Sequence, residues 1–418
     1  MNYQKFTLNN GMTVVMEEIP FVRSVSFGVW IKNGSRNEGL SLNGVSHFIE
    51  HMLFKGTGSR SARQIADEMD AVGGQLNAYT TKEYTCFYAR TLDTHFGVAL
   101  SVISDMIMDP KFDAADIDKE RNVILEEINM MEDSPEDLVH DLLESCVFSS
   151  QDLSLPVLGA KETVSNFDRN LFIEFFAAKY HPENMVVALA GNVRADAALK
   201  EIENVFGFFK RPEAFIPPVY DAVYTPGRLV KEKDIEQVHI TIGFPGVKTG
   251  ADESYPLSIL NAVFGGGMSS RLFQKIREEH GLSYAIFSYN VGFMDAGLFS
   301  ICAALAADQV DRAMDLILEE IRRLFTEKID ETALNKSKEQ IKSGYMLSLE
   351  SSSSRMSSIG RSELLLNRII PPEELLDKIN AVELAHIYDL AERIFTPGAM
   401  SIAAVGAITA GDLAGYAY

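Results

Sequence analysis

Residues 44–57 read GVSHFIEHMLFKGT. His47, Glu50 and His51 stand at i, i+3 and i+4, a spacing that puts all three on one face of a helix. The order is the inverse of the H-E-x-x-H zinc signature, with the glutamate beside the second histidine. Two neutral imidazole nitrogens can hold a metal ion, and the neighbouring carboxylate can take a proton from water that the ion makes acidic. A chance match in a chain of 418 residues is on the order of 1%. The motif therefore needs a partner elsewhere in the sequence.

A catalytic zinc site takes three protein ligands and keeps one position for water. Residues 118–133, DKERNVILEEINMMED, place Val123, Ile124, Ile128 and Met131 at helical spacing with acids between them. Glu120 and Glu127 lie seven apart, two turns along one face, so one could bind metal and the other support the site. An acidic helix of this kind is otherwise a solvated face.

Taken together, GVSHFIEHMLFKGT and ERNVILEEI (120–128) resemble the pitrilysin and mitochondrial processing peptidase family of inverted-motif zinc endopeptidases, in its half-length bacterial form. In that family the third ligand is the second glutamate of a pair seven apart, about 75 residues past the motif. Glu127 stands 76 positions after His51. The resemblance therefore implies one Zn2+ per chain held by His47, His51 and Glu127, with Glu50 as base and Glu120 as supporting carboxylate. Glu126 would point about 100° away.

Further matches lie outside the motif. Arg277 and Tyr284, in RLFQKIREEHGLSYA (271–285), are similar to the family's Arg and Tyr that hold the scissile peptide. A guanidinium and a phenol can both donate to a carbonyl and to the oxyanion formed from it. Asn77 and Ala78, in LNAYTTKEYTCFYAR (76–90), resemble the strand edge that receives substrate by β-addition. The resemblance also implies a homodimer in which Arg277 and Tyr284 act in trans.

An internal repeat supports a whole-chain likeness. YHPENMVVALAGNVRAD (180–196) and IFTPGAMSIAAVGAITAGD (394–412) share a turn, an apolar strand and a polar helix start, with Pro182 and Pro397 215 positions apart. SVSFGVWIKNGSRNEG (24–39) likewise matches VHITIGFPGVKTGADES (238–254). Two similar halves follow. The expected domains are 1–211, which is zinc-binding, and 228–418, which lacks the metal motif and holds substrate. The proline-rich segment 212–227 would be the linker. Strand runs such as CFYARTL mix with helical ones such as VDRAMDLILEEIRRLF without strict alternation, so the class is α+β. Each domain should be a mixed, mainly antiparallel sheet backed by helices.

A hydrophobic content of 46% is that of a globular protein. The net charge of −21 opposes nucleic-acid binding and favours basic peptides as partners. No run of 18 apolar residues and no signal or transit pattern at the N-terminus supports membrane insertion or export. Cys86, Cys146 and Cys302 are three scattered thiols without metal spacing, as expected in the cytoplasm.

Several other motifs carry no chemistry. GFPGVKTG (243–250) lacks the phosphate-loop spacing. FGGGMSSR (264–271) opens a helix and reads as a mobile or closely packed turn rather than a phosphate site. LESSSSRMSS (349–358) reads as an exposed polar run. Two alternatives stay open. One is a catalytic or partner subunit of a heteromeric processing peptidase, inactive alone. The other is a metal hydrolase acting on a non-peptide bond.

Overall fold

The computed structural model describes residues 3–149, 152–210 and 221–418. Of the expected linker, 212–220 lie outside the described residues. The first half of the chain forms β1 (Tyr3–Thr7), β2 (Thr13–Glu18), β3 (Ser24–Ile31), α1 (Val45–Leu53), α2 (Ala62–Ala71), β4 (Gln75–Thr80), β5 (Thr85–Leu92), α3 (Phe96–Met108), α4 (Ala114–Asp133), α5 (Pro135–Val147), α6 (Lys161–Val164), α7 (Arg169–Lys179), β6 (Met185–Gly191) and α8 (Ala195–Phe206). There follow β7 (Arg228–Glu232), β8 (Gln237–Pro245), α9 (Ser254–Phe264), a π-helical turn Phe273–Glu279, β9 (Ser283–Gly292), β10 (Gly297–Ala306), α10 (Val310–Thr326), α11 (Glu331–Ser348), α12 (Ser352–Leu366), α13 (Pro372–Asn380), α14 (Leu384–Ile394) and β11 (Ser401–Gly406). Among the described residues no helix is long and apolar enough to cross a membrane.

The strands form two sheets, ordered β1-β2-β6-β3-β5-β4 and β7-β11-β8-β10-β9. In the first, β2 and β6 run parallel and every other neighbouring pair is antiparallel. In the second, only β7 and β11 run parallel. Without β1, the two orders coincide strand for strand. The matched sequence segments take equivalent places: 180–196 contains β6 and 394–412 contains β11, while β3 corresponds to β8. The class is α+β, with a duplicated, mainly antiparallel sheet.

The chain groups into two compact units that cut across its linear order. Of the described residues, the first unit holds 3–128, 155–210 and Met346–Pro371; the second holds 129–149, 152–154, 221–345 and Pro372–Tyr418. Two helices in equivalent positions are thereby exchanged. In the first unit α12 covers β2, β3 and β6, and in the second unit α5 covers β8 and β11. Each sheet is backed on its other face by a separate apolar core, around Phe48, Phe87 and Phe172 in one unit and around Phe264, Phe299 and Phe395 in the other.

The seat of α12 explains the serine run, which is not an exposed stretch. Ser351 caps the helix, its hydroxyl accepting from the Ser354 amide at 3.4 Å. Ser352 is buried, with its Oγ 3.0 Å from that of Ser24 and 2.9 Å from that of Ser26. Ser353 lies 3.0 Å from Ser26. Buried hydroxyls need such partners, and strand and helix supply them to each other. Arg355 pairs with the buried Glu17 of β2. Gly360 lets the helix approach: a Cβ there would lie 2.4 Å from Trp30 Nε1 and 2.9 Å from the Ala188 Cβ.

Gly344 in α11 has nothing within 4 Å of the equivalent position. The same substitution should therefore have opposite effects at these two helical glycines. Gly344→Ala is expected to stabilise by about 1 kcal/mol through helix propensity, whereas Gly360→Ala should destabilise by about 1–3 kcal/mol through overpacking against Trp30. Urea denaturation of both variants checks the pair.

Candidate metal centre

The site is built on α1, a helix of nine residues whose start is fixed from outside. Gly44 precedes it at φ +99°, and a Cβ there would meet the Gly159 Cα at 2.8 Å, so only glycine fits. The first amides of a helix lack partners within it. Glu38 supplies them: Oε2 accepts from the Gly44 N–H and Oε1 from the Ser46 N–H, both at 2.7 Å. The Asn43 side chain donates to Oε2 at 3.1 Å. Burial pushes the Glu38 carboxyl up to about 7, against the pull of these hydrogen bonds.

The apolar positions Val45, Phe48, Ile49, Met52 and Leu53 are all buried, which sinks α1 into the core of the first unit. Phe48 meets Phe172 edge-on, with ring centroids 4.7 Å apart. His47, Glu50 and His51 take the remaining face. On α4 the buried stripe is Ile117, Glu120, Ile124 and Ile128, with Glu127 at its margin. Val123, expected in that stripe, is exposed.

His47, His51 and Glu127 each offer a ligand atom, all within 4.8 Å of one another. Glu127 Oε2 lies 3.7 Å from His47 Nε2 and 3.5 Å from His51 Nε2. Two atoms bound to a tetrahedral zinc at ~2.1 Å are ~3.4 Å apart, so the donor set and its spacing fit that ion. Burial drives the His47 imidazole down to about 3, leaving it neutral as a ligand must be. The other nitrogen of His51, Nδ1, lies 3.2 Å from Glu120 Oε2, and Glu120 Oε1 is held by Lys55 Nζ at 2.7 Å. A carboxylate on the far nitrogen of a ligand histidine fixes its tautomer and orientation. Glu126 is exposed and contributes no atom to the cluster.

Glu50 is oriented by Thr80, whose hydroxyl donates to Oε2 at 2.5 Å. Burial raises the Glu50 carboxyl above its ordinary value, with Thr80 opposing the shift. Thr80 ends β4, the edge strand of the first sheet, against which α1 packs. Asn77 and Ala78 lie on the same strand, opposite Tyr88 and Phe87 of β5. The Asn77 side-chain oxygen accepts from the Ala78 amide at 2.8 Å.

In the second unit, Arg277 and Tyr284 form a pair. The guanidinium stacks on the Tyr284 ring at 4.5 Å and donates to the Tyr284 carbonyl at 3.0 Å. Tyr284 itself is 78% exposed. The equivalent of α1 in this unit, α9, carries no histidine.

Thr80, Glu38 and Lys55 escaped the sequence reading. Lys55 had a signal, since it stands one helical turn after His51. Glu38 had a weaker one, an acid shortly before a glycine that opens a helix, where the helix dipole favours negative charge. Thr80 had none, being 30 positions from Glu50.

The chain is similar to known proteins over nearly its whole length. Residues 13–161 match the family described as "Insulinase (Peptidase family M16)", and 166–341 match "Peptidase M16 inactive domain". A Bacillus subtilis protein described as "Uncharacterized zinc protease YmxG" is 42% identical over 94% of this chain and 96% of its own length. A Rickettsia bellii zinc protease is 37% identical over 96% of this chain and 97% of its own. Among solved structures, a protease from Helicobacter pylori superposes with a TM-score of 0.91 at 20% identity, covering 97% of this chain and 99% of that one. An M16 inactive domain from Pseudomonas fluorescens gives 0.90 at 17% identity, covering 98% and 99%. The fold, the inverted motif and similarity to such relatives over nearly the full length converge: the chain belongs to peptidase family M16, the insulinase family, as a half-length member.

Proposed function

We propose that this chain is a zinc-dependent endopeptidase that cleaves extended peptides or unfolded segments held as an added strand on β4. The observation that carries the reading is the convergence of His47, His51 and Glu127 beside the buried, hydrogen-bonded carboxylate of Glu50. The names of the relatives support zinc as the metal and peptides as the substrate.

His47, His51 and Glu127 would hold the ion, which when bound supplies Lewis-acid activation of water and of the scissile carbonyl. Glu50 accepts the proton of the attacking water and returns it to the leaving amine. Thr80 keeps the Glu50 oxygen pointed at its task. Glu120, anchored by Lys55, holds the His51 ring in register. Backbone pairing grips the substrate: a substrate carbonyl would replace the Asn77 side chain as acceptor for the Ala78 amide. The excess of acids over bases in the chain favours basic peptides. The active form is a homodimer in which Arg277 and Tyr284 serve the partner subunit's metal centre. The exposure of Tyr284 beneath a stacked guanidinium supports this, because it makes a ready pair of donors facing solvent. Three unpaired thiols, two of them buried, suit a cytoplasmic location.

Metal content and cleavage of a quenched, unstructured basic peptide test the reading directly. Wild type and Glu50→Gln should both carry about one zinc per chain, with cleavage falling by at least ~10²–10⁴-fold in the variant. Cleavage by Glu50→Gln at the wild-type rate would overturn the assignment. Metal in both and cleavage by neither would mark a subunit of a heteromeric enzyme. Glu127→Gln should lose metal while Glu126→Gln keeps it, and Glu120→Gln should weaken metal affinity by ~10–100-fold, all read by chelator competition. Mixing Glu50→Gln with Arg277→Ala subunits, each inactive alone, should restore cleavage if the pair acts in trans; a mixture as inactive as its parts rules that out.

A further inference from the structure

FGGGMSSR plays no part in the metal chemistry, yet it borders a cavity of about 240 Å³ wholly within the second unit. Its first glycines are packing devices, since a Cβ on Gly265 would meet Ser288 Oγ at 2.4 Å. The segment then turns toward α11, where a Cβ on Gly267 would stand 3.5 Å from Gln340 Nε2. The cavity is lined by Arg271 from this segment, by Lys328, and by Lys336, Ser337 and Gln340 along one face of α11. Asp330 is the one carboxylate in the lining, and its Oδ1 already accepts the Ala333 amide at 2.7 Å, where it caps α11.

Three cations against one engaged carboxylate invert the charge of a chain with 59 acids and 38 bases. Among the described residues, Lys328 and Lys336 make no ion pair. Arg271 donates through Nη2 to the Glu327 carbonyl at 2.7 Å, while its Nη1 is buried without a hydrogen-bond partner. Glu320 feels the Arg271 charge, but its Oε1 is held by Arg323 at 2.7 Å. Among cations, a guanidinium is the one that matches an oxyanion best, and two ammonium groups beside it add point charges. The amide of Gln340 and the hydroxyl of Ser337 add neutral donors.

We propose that this cavity is an oxyanion site taking inorganic phosphate or a small phosphomonoester. Its volume, below that of pockets for drug-sized ligands, suits a compact dianion. The site stands apart from the peptidase reading and needs no metal.

The test is calorimetric titration of the full chain with sodium phosphate, and separately with glycerol phosphate, at ionic strength held constant with sodium chloride. Wild type should bind one equivalent, and Lys328→Gln/Lys336→Gln should bind roughly tenfold more weakly or not at all. Both lysines are exposed, so the double variant should melt with wild type in chloride. Phosphate captured by the metal centre would bind equally in wild type and double variant, and that result would overturn the proposal, as would no heat above the chloride control. Tighter binding of the ester than of inorganic phosphate would identify the phosphomonoester as the ligand; the reverse order would identify the free ion.

Discussion

A buried carboxylate holding the first amides of a nine-residue helix is the contact on which the rest of the metal centre depends. Helix α1 is too short to define its own start, and its functional face spans only one turn. Glu38 pins the Gly44 and Ser46 amides, so the rotation of the helix is set before any ligand is considered. Burial of Phe48, Ile49 and Met52 then leaves one orientation in which His47, Glu50 and His51 face α4 and the β4 edge. The Glu38 carboxylate that starts the helix and the Glu50 carboxylate upon it sit in different surroundings, which is how acids of one type can take different roles.

Around α1, the carboxylates of Glu120 and Glu50 are each held by neighbouring side chains. Glu120 occupies a position in the apolar stripe of α4 where isoleucine would be expected. It is tolerated there because His51 and Lys55 satisfy both of its oxygens. Thr80 holds one oxygen of Glu50 from the end of an edge strand, coupling the backbone that would receive a peptide to the carboxylate that would handle its proton. The second unit keeps the same strand order without this network, and its α9 is free of histidine.

Much of this was legible in the chain because it rests on period. The spacing of His47, Glu50 and His51, and the seven-residue step from Glu120 to Glu127, are helical periodicities. The two matched segments carrying β6 and β11 pointed to the duplication, and the irregular mix of strand and helix runs pointed to α+β. The structure departs from the sequence reading wherever the determinant is non-local. Val123 reads as apolar yet faces solvent, because Glu120 and Ile117 claim the stripe. The serines of 351–354 read as polar surface, since nothing near them in sequence announces Ser24 and Ser26. An amphipathic pattern states that a helix has a face to bury but not which sheet will bury it, so the exchange of α5 and α12 left no local trace.

That exchange bears on how the protein is made. Ser26 and its partner Ser352 are 326 positions apart, so the face of the first sheet around Trp30 has no cover until α12 leaves the ribosome. At about 5–20 residues per second, the wait is roughly 20–60 seconds. From the completion of β6 until α12 arrives, the nascent chain presents a finished strand order with an uncovered sheet face, the kind of intermediate that holdase chaperones bind. The fold thus ties completion of the first unit to synthesis of the second, so that a chain truncated before α12 leaves one face of the first sheet uncovered.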